Sequence, residues 1–479
     1  MAVILTGKRS PDTQIWPNTV IIEQLKSIVG PKGWLADEHD IEPYVTEWRD
    51  RYRGKALLVV EPKNTEEVSA IVSACAAESV SIVPQGGNTG LCGGAVPDAS
   101  GKQVVVSLRR MNRIRNLSPD DFSMIVDAGC TLSQVQSAAS ESGRFFPLSL
   151  AAEGSCQIGG NLSTNAGGIN VLRYGTARAQ VLGLEVVLPD GRIINGLRAL
   201  RKDTAGYDLK HLFIGSEGTL GIITAACLRL QPAPEEVNTF IVTLASPTAA
   251  VQLLSTLRES LGDTLQAFEL IPDRAMRFVT RHIAGARNPF EETSPWYVLA
   301  ACTAPEQEIE QALFQTLESG VGTNALIAKN STESEALWNI RHSISEAQKS
   351  EGVSLKHDVS VPVESIGQFI ETADAALVEQ VPGVRVVAFG HVGDGNVHLN
   401  VSQPEKLSAD EFLQLQEDIA KTIFDIVAKF SGSFSAEHGV GQARRHYLCQ
   451  YRSEAELDTM RAIKAALDPL GIMNPGKVL

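Results

Sequence analysis

Two histidines seven residues apart in FGHVGDGNVHLN, His391 and His398, and the dipeptide Glu437-His438 in SAEHGVG carry the sharpest chemical signal among the nine histidines of this chain. On one straight strand an odd spacing sends two side chains to opposite faces. Here Gly393-Asp394-Gly395 breaks the strand between them and lets both imidazoles converge. Beyond that turn, His398 and Asn400 are two apart and share a face. Two imidazoles and the Glu437 carboxylate can hold Zn, Mn, Fe or Co and leave positions open for a substrate. A histidine pair alone reads equally well as core structure; the Glu-His dipeptide in a glycine-framed loop favours the metal. His39, His211, His282 and His446 sit in charged or amphipathic surroundings and read as surface or satisfied histidines.

A second chemistry is anion binding by backbone. Gly86-Gly87-Asn88-Thr89-Gly90 and the stretch GSCQIGGNLSTNAGG at 154–168 are both glycine-rich. Glycine allows positive φ and lets N–H groups approach an anion unobstructed. Two such loops can enclose a diphosphate, although each alone is equally a tight turn between strands. Neither is a GxGxxG fingerprint, and no GxxxxGK[ST] occurs, which disfavours a Rossmann nicotinamide site and an ATPase.

A third is carboxylate recognition. Arg341 and Ser345 lie four apart, on one face of a helix whose apolar stripe is Leu337, Ile340, Ile344 and Ala347. An arginine on the buried side suits a forked grip on a carboxylate. Lys356, in the strand-like SLKHDVSVP, can join it. On composition alone Arg341 and Lys356 read rather as solvated charges than as a site.

Elements must position these groups. From Ala56 a strand-like run, ALLVVEP, leads to a helix that Asn64 or Thr65 can cap, then to a short strand and the first glycine loop. Residues 104–108, 123–128 and 181–195 read as strands, the last turned by Pro189-Asp190-Gly191. Pro232 and Pro234 mark a domain boundary. Beyond it come the strand TFIVTLAS, PWYVLAAC between helices, a helical TESEALWNIRHSISEAQKS, two strand-like segments and a helical region over 408–430. No internal repeat stands out.

At 479 residues the chain calls for more than one domain. Its net charge of −14 argues against nucleic acid or an anionic membrane as partner. Seven scattered cysteines without a CxxC pair argue against a disulfide framework or a thiolate zinc site and point to a reducing compartment. The start, MAVILTGKRSPDTQIW, places its apolar run before its basic residues, the wrong order for a secretory signal, and no run of apolar residues is long enough to span a membrane.

PQGGNTGLCGGAVP, GSCQIGGNLSTNAGGINVLRYG and FIGSEGTLGIIT resemble the vanillyl-alcohol-oxidase (PCMH-type) FAD domain. The resemblance implies that Gly86, Gly87, Asn88, Thr89, Gly90, Gly154, Ser155, Gly159, Thr164, Asn165 and Gly168 contribute to the FAD diphosphate site. It also implies that Asn474, in Asn474-Pro475-Gly476-Lys477, returns to the flavin. Covalent members place a histidine near the first loop; this chain has none there, so FAD is expected to be held non-covalently.

The histidine segments resemble the FAD-linked oxidase C-terminal domain of D-lactate, glycolate and D-2-hydroxyglutarate dehydrogenases. That likeness makes His391, His398 and Glu437 metal ligands, with zinc expected, and His438 the catalytic base. LWNIRHSISEA and LKHDVSVP are most similar to the D-2-hydroxyglutarate enzymes, over about residues 48–479. There the positions of Arg341, Ser345 and Lys356 hold the distal carboxylate; Asn400 is placed with them at the substrate. Ser345 replaces a threonine and His357 an expected tyrosine, a change expected to reshape the pocket.

The expected fold is α+β. It comprises a two-subdomain PCMH-type FAD-binding domain (1–232, with its lead-in), a substrate (cap) domain with an antiparallel sheet (233–424), and a small helical C-terminal segment returning to the flavin (425–479). The expected reaction is metal-assisted hydride transfer from C2 of D-2-hydroxyglutarate to flavin N5, yielding 2-oxoglutarate. The rivals are a D-lactate or glycolate dehydrogenase, an alkyl-glycerone-phosphate-synthase-like transferase, and a flavin-binding protein with a dead site. Electron-transfer flavoprotein or quinone is the expected acceptor. A homodimer is expected, in the cytoplasm, or in the mitochondrial matrix of a eukaryote.

Overall fold

The computed structural model describes residues 17–479; the reading of the first residues as no secretory signal lies outside them. The run ALLVV is apolar on both faces because its strand, Ala56–Val60, lies inside a sheet covered on both sides. That sheet has the order Trp34–Leu35, Ala56–Val60, Gln103–Ser107, Ile82–Gln85, with the last three parallel. The helix Thr65–Ala77 starts where Asn64 accepts a hydrogen bond from the Glu67 amide, and packs with Pro17–Val29 over one face. The glycine loop begins at the carboxyl end of Ile82–Gln85, where open α/β sheets place their ligands.

A five-stranded antiparallel sheet follows, ordered Ile114–Ser118, Ser123–Asp127, Ile222–Arg229, Val181–Val187, Ile193–Asn195. The expected turn at Pro189–Gly191 is present, with Gly191 at φ 85°. Helix Ile158–Ser163, from the second glycine-rich stretch, lies between the two sheets.

The cap is antiparallel throughout. Leu265–Pro272, Trp296–Cys302, Asn238–Leu244 and Asn324–Ile327 form one sheet; Ser354–Ser360, Asn396–Ser402 and Arg385–Phe389 form another. Leu270 and Gly390 exchange two N–H···O bonds of 2.9 and 3.1 Å and join them into one surface. Helices Pro247–Leu261, Glu306–Glu318, Ile366–Gln380 and Gln416–Lys429 cover one face of that surface. Asp273–His282, Ser331–His342 and Ile344–Lys349 cover the other.

Helix Gln416–Lys429 continues through the expected division at 424, and both halves pack into the cap core. The returning segment therefore begins after Lys429. It pairs Ser433 with Ser360, forms the short helices Arg445–Tyr451 and Glu454–Leu467, and ends as an added edge to the first sheet. There Ile82 N–H donates to Ile472, and Asn474 N–H donates to Ile82.

Candidate functional site

Strand register decides which cap residues meet. Lys356 lies opposite Asn400 and Asp358 opposite His398, while Phe389 flanks His398, so these side chains share one face. Glu269, on the neighbouring sheet, faces the same side. His357 points the other way, into the core against Phe424, where burial pulls its imidazole down to about 4. It does not line the site, so the expected reshaping of the pocket does not arise from this residue.

The strand ends at Phe389, and the turn His391–Gly395 returns the chain with Gly395 at φ 93°. The two imidazoles consequently stand 5.3 Å apart, centroid to centroid. Both Nε2 atoms face the same Glu437 oxygen, at 3.8 Å from His391 and 3.7 Å from His398. One ligand atom from each of the three residues fits within 4.8 Å of the others, which suits one small cation. Asp358, Glu437 and His438 form a second such cluster. However, Asp358 already accepts bonds from Asn396 Nδ2 and from the Glu437 and His438 amides, at 2.7, 2.9 and 3.0 Å. It orients the loop rather than offering free lone pairs.

Glu269 is fully buried and holds two partners, His391 Nδ1 at 2.5 Å and Arg341 Nε at 2.6 Å. Burial alone would favour its neutral acid, but the charges of His391 and Arg341 prevail and depress it to about 2. Burial would likewise push His391 down; the Glu269 carboxylate outweighs it and raises the ring to about 9. Burial keeps His398 well below its ordinary value and so neutral. Glu437 is fixed by the Gly168 amide, which donates to it at 3.0 Å. His438 Nδ1 lies 3.3 Å from Asp358.

The other half is a cleft between the two glycine-rich segments. Gly86–Gly90, Gly159, Thr164 and His438 all line it. Gly87 is where the loops touch: a Cβ there would sit 2.0 Å from the Ser155 carbonyl oxygen. Among the described residues, the amides of Gly86 to Gly90 find no acceptor in the protein, an arrangement suited to a diphosphate. Gln157 Oε1, also lining the cleft, is buried without a partner. The residues present therefore fit a flavin dinucleotide.

The second segment needs correction as a set of backbone donors. The amides of Ser155, Gly159, Thr164 and Asn165 all donate inside the protein, that of Gly168 serves Glu437, and Gly154 and Asn165 do not line the cleft. A helix and a turn have used these amides. Asn474, buried at φ 43°, binds the carbonyls of Gly94 and Glu217 through Nδ2 and so ties the chain end to two cleft-lining loops.

Arg341 and Ser345 do not share a continuous helix face. The helix breaks at Ser343, leaving Arg341 buried and Ser345 exposed. Arg341 stacks over Phe389 at 4.9 Å. Asn400 is buried and donates to Gln348 at 2.7 Å. Lys356 is exposed on its strand; desolvation, then the like charges of Lys349, Arg49 and Arg51, lower its ammonium to about 8. Sequence reasoning missed Glu269, Asp358 and Glu217. The first two were legible as single acids in apolar strands, AFELIP and KHDVSVP. Glu217 accepts the Val440 and Gly441 amides at 2.7 and 2.8 Å and holds the His438 loop from the other domain.

Comparison with known proteins follows the same two halves. Residues 56–196 match the family described as FAD binding domain, and residues 233–478 match FAD linked oxidases, C-terminal domain. A D-2-hydroxyglutarate dehydrogenase of Xanthomonas citri pv. viticola is 40% identical over 92% of this chain and 92% of its own length. One from Stutzerimonas stutzeri is 38% identical over 96% and 98%, and the mitochondrial one of Arabidopsis thaliana 38% over 96% and 81%. In fold, the chain is similar to p-cresol methylhydroxylase (TM-score 0.74, 16% identity, 96% of each chain). It is also similar to alkyldihydroxyacetonephosphate synthase (TM-score 0.71, 18% identity, 99% of this chain and 87% of that one).

Proposed function

This chain belongs to the FAD-linked D-2-hydroxyglutarate dehydrogenase family, and from that premise we propose that it oxidises D-2-hydroxyglutarate to 2-oxoglutarate where its two domains meet. The observation that carries the reading is the position of His438. It lines the flavin cleft and is adjacent in sequence to Glu437, the carboxylate shared by His391 and His398.

Gly86, Gly87, Asn88, Thr89 and Gly90 would hold the FAD diphosphate, with Gly159 and Thr164 opposite and Ser155 at the loop contact. His391, His398 and Glu437 would hold a divalent ion, for which zinc suits two imidazoles and one carboxylate. When bound, the ion would polarise the C2 hydroxyl of the substrate and the flavin would accept hydride from C2. His438 takes the hydroxyl proton on Nε2, its Nδ1 side facing Asp358. Arg341, Ser345, Lys356 and Asn400 orient the substrate carbon chain and its distal carboxylate. Glu269 fixes His391 so that Nε2 faces the ion. A transferase reading leaves the His391, His398 and Glu437 set without a task.

Electron-transfer flavoprotein or quinone is the proposed acceptor, and a homodimer the proposed assembly. Among the described residues no helix is long and apolar enough to cross a membrane. All seven cysteines are free, which supports a reducing compartment, the cytoplasm being our choice.

Anaerobic bleaching of the flavin spectrum tests the proposal. D-2-hydroxyglutarate should bleach it quickly, while L-2-hydroxyglutarate, D-lactate and glycolate should not. Chelator should abolish bleaching and zinc restore it. Equal bleaching by D-lactate would refute the diacid assignment.

A further inference from the structure

A diacid needs two positive anchors, and one that seemed available is already neutralised. Arg341 gives its charge to Glu269 at 2.6 Å in a fully buried contact. It can still donate hydrogen bonds, but the positive charge facing a distal carboxylate must come from elsewhere. Lys356 supplies one: among the described residues its ammonium has no ion pair and no hydrogen bond.

A second such cation comes from the flavin domain. The segment Glu47–Gly54 lies against the His438 loop through a chain of contacts. Arg49 donates to the Leu91 carbonyl at 2.5 Å, and Cys92 Sγ lies 3.5 Å from the Gly439 carbonyl. Gly93 packs against the Tyr52 ring, and its carbonyl accepts from Gln442 at 2.9 Å. Glu47, 1% exposed, fixes the turn by accepting the Arg49 and Arg51 amides and the Arg49 guanidinium. Arg49 is thus compensated, and Arg53 pairs with Glu42 and Asp50. The Arg51 guanidinium has no such partner among the described residues and is exposed, and its charge, after those of Lys349 and Arg49, is felt at Lys356. Uncompensated cations within reach of one another's charge are unfavourable until an anion joins them. That holds even in a chain of net charge −14, where anions could have been supplied.

We propose that Arg51 reaches from the flavin domain to the cap and, with Lys356, binds the distal carboxylate of the substrate, making it a determinant of diacid over monoacid selectivity. This inference rests on the 2-hydroxy-diacid reading of the site.

The test uses the full-length protein loaded with FAD and zinc, comparing D-2-hydroxyglutarate with D-2-hydroxyvalerate, which has the same five-carbon chain without the terminal carboxylate. Arg51→Gln should raise KM for the diacid about tenfold or more, the scale of a lost charged hydrogen bond, and leave kcat and the monoacid KM near wild type. Arg51→Lys should retain most of the selectivity, and the salt dependence of the diacid KM should weaken in Arg51→Gln alone. Loss of FAD from Arg51→Gln, or an equal effect on both substrates, would assign Arg51 to the cofactor or the fold and overturn the proposal. An unchanged Arg51→Gln beside an impaired Lys356→Gln would overturn it while leaving the diacid reading intact. A wild-type protein indifferent to the terminal carboxylate would defeat both.

Discussion

Glu269 Oε1 sits 2.5 Å from His391 Nδ1, and this contact decides which imidazole nitrogen faces Glu437. An ionised Glu269 accepts only from a protonated Nδ1, so Nε2 is the atom left for a metal. The same carboxylate compensates Arg341. One buried acid therefore joins the proposed metal-ligand half of the site to the proposed substrate half.

Glu269→Gln should lower zinc affinity about 10–100-fold, the usual cost of removing a partner behind a metal-bound histidine. Competition with a chelator dye measures it. Stability should fall by about 3–5 kcal/mol, because Arg341 keeps a buried charge without its partner. An unchanged zinc affinity would remove Glu269 from the metal site.

His438→Asn should bind FAD and zinc as the wild type does, yet slow flavin reduction by D-2-hydroxyglutarate about 10²–10⁴-fold, the usual contribution of a positioned base. Stopped-flow bleaching under anaerobic conditions reads the rate. A variant that reduces at the wild-type rate would show that another group takes the proton.

Lys356 gives a pH prediction. Its ammonium is lowered from 10.5 to about 8, so it is charged below that pH and neutral above. KM for the diacid should climb as pH rises through about 8, and KM for D-2-hydroxyvalerate should not. In Lys356→Arg, which stays charged, the climb should vanish.

Gly87→Ala should purify without yellow colour. The added Cβ would lie 2.0 Å from the Ser155 carbonyl oxygen, backbone against backbone, and would force the two cleft walls apart. Flavin content per chain checks this, and circular dichroism separates a lost site from a lost fold.

The sequence by itself determined the parts that local rules govern. Alternation and glycine punctuation placed the strands around Ala56–Val60, Ser354–Ser360 and Asn396–Ser402, and Asn64 marked the start of its helix. His391, His398 and Glu437 were legible as a cluster, since few structural needs put two histidines and a Glu-His pair in glycine-framed turns. What only the tertiary structure decided depends on strand register and on which partner each charge finds. Register turned His357 into the core and Lys356 onto the face of Asn400 and His398, because adjacent residues of a strand point to opposite faces. A break at Ser343 separated Arg341 from Ser345, although helical periodicity alone would have paired them. Ser155, Thr164 and Asn165 gave their amides to local turns and Gly168 gave its own to Glu437, distinctions no glycine pattern encodes. Glu269 and Arg51 became visible only once distant segments met, because a charge is compensated by its neighbours in space and not in sequence.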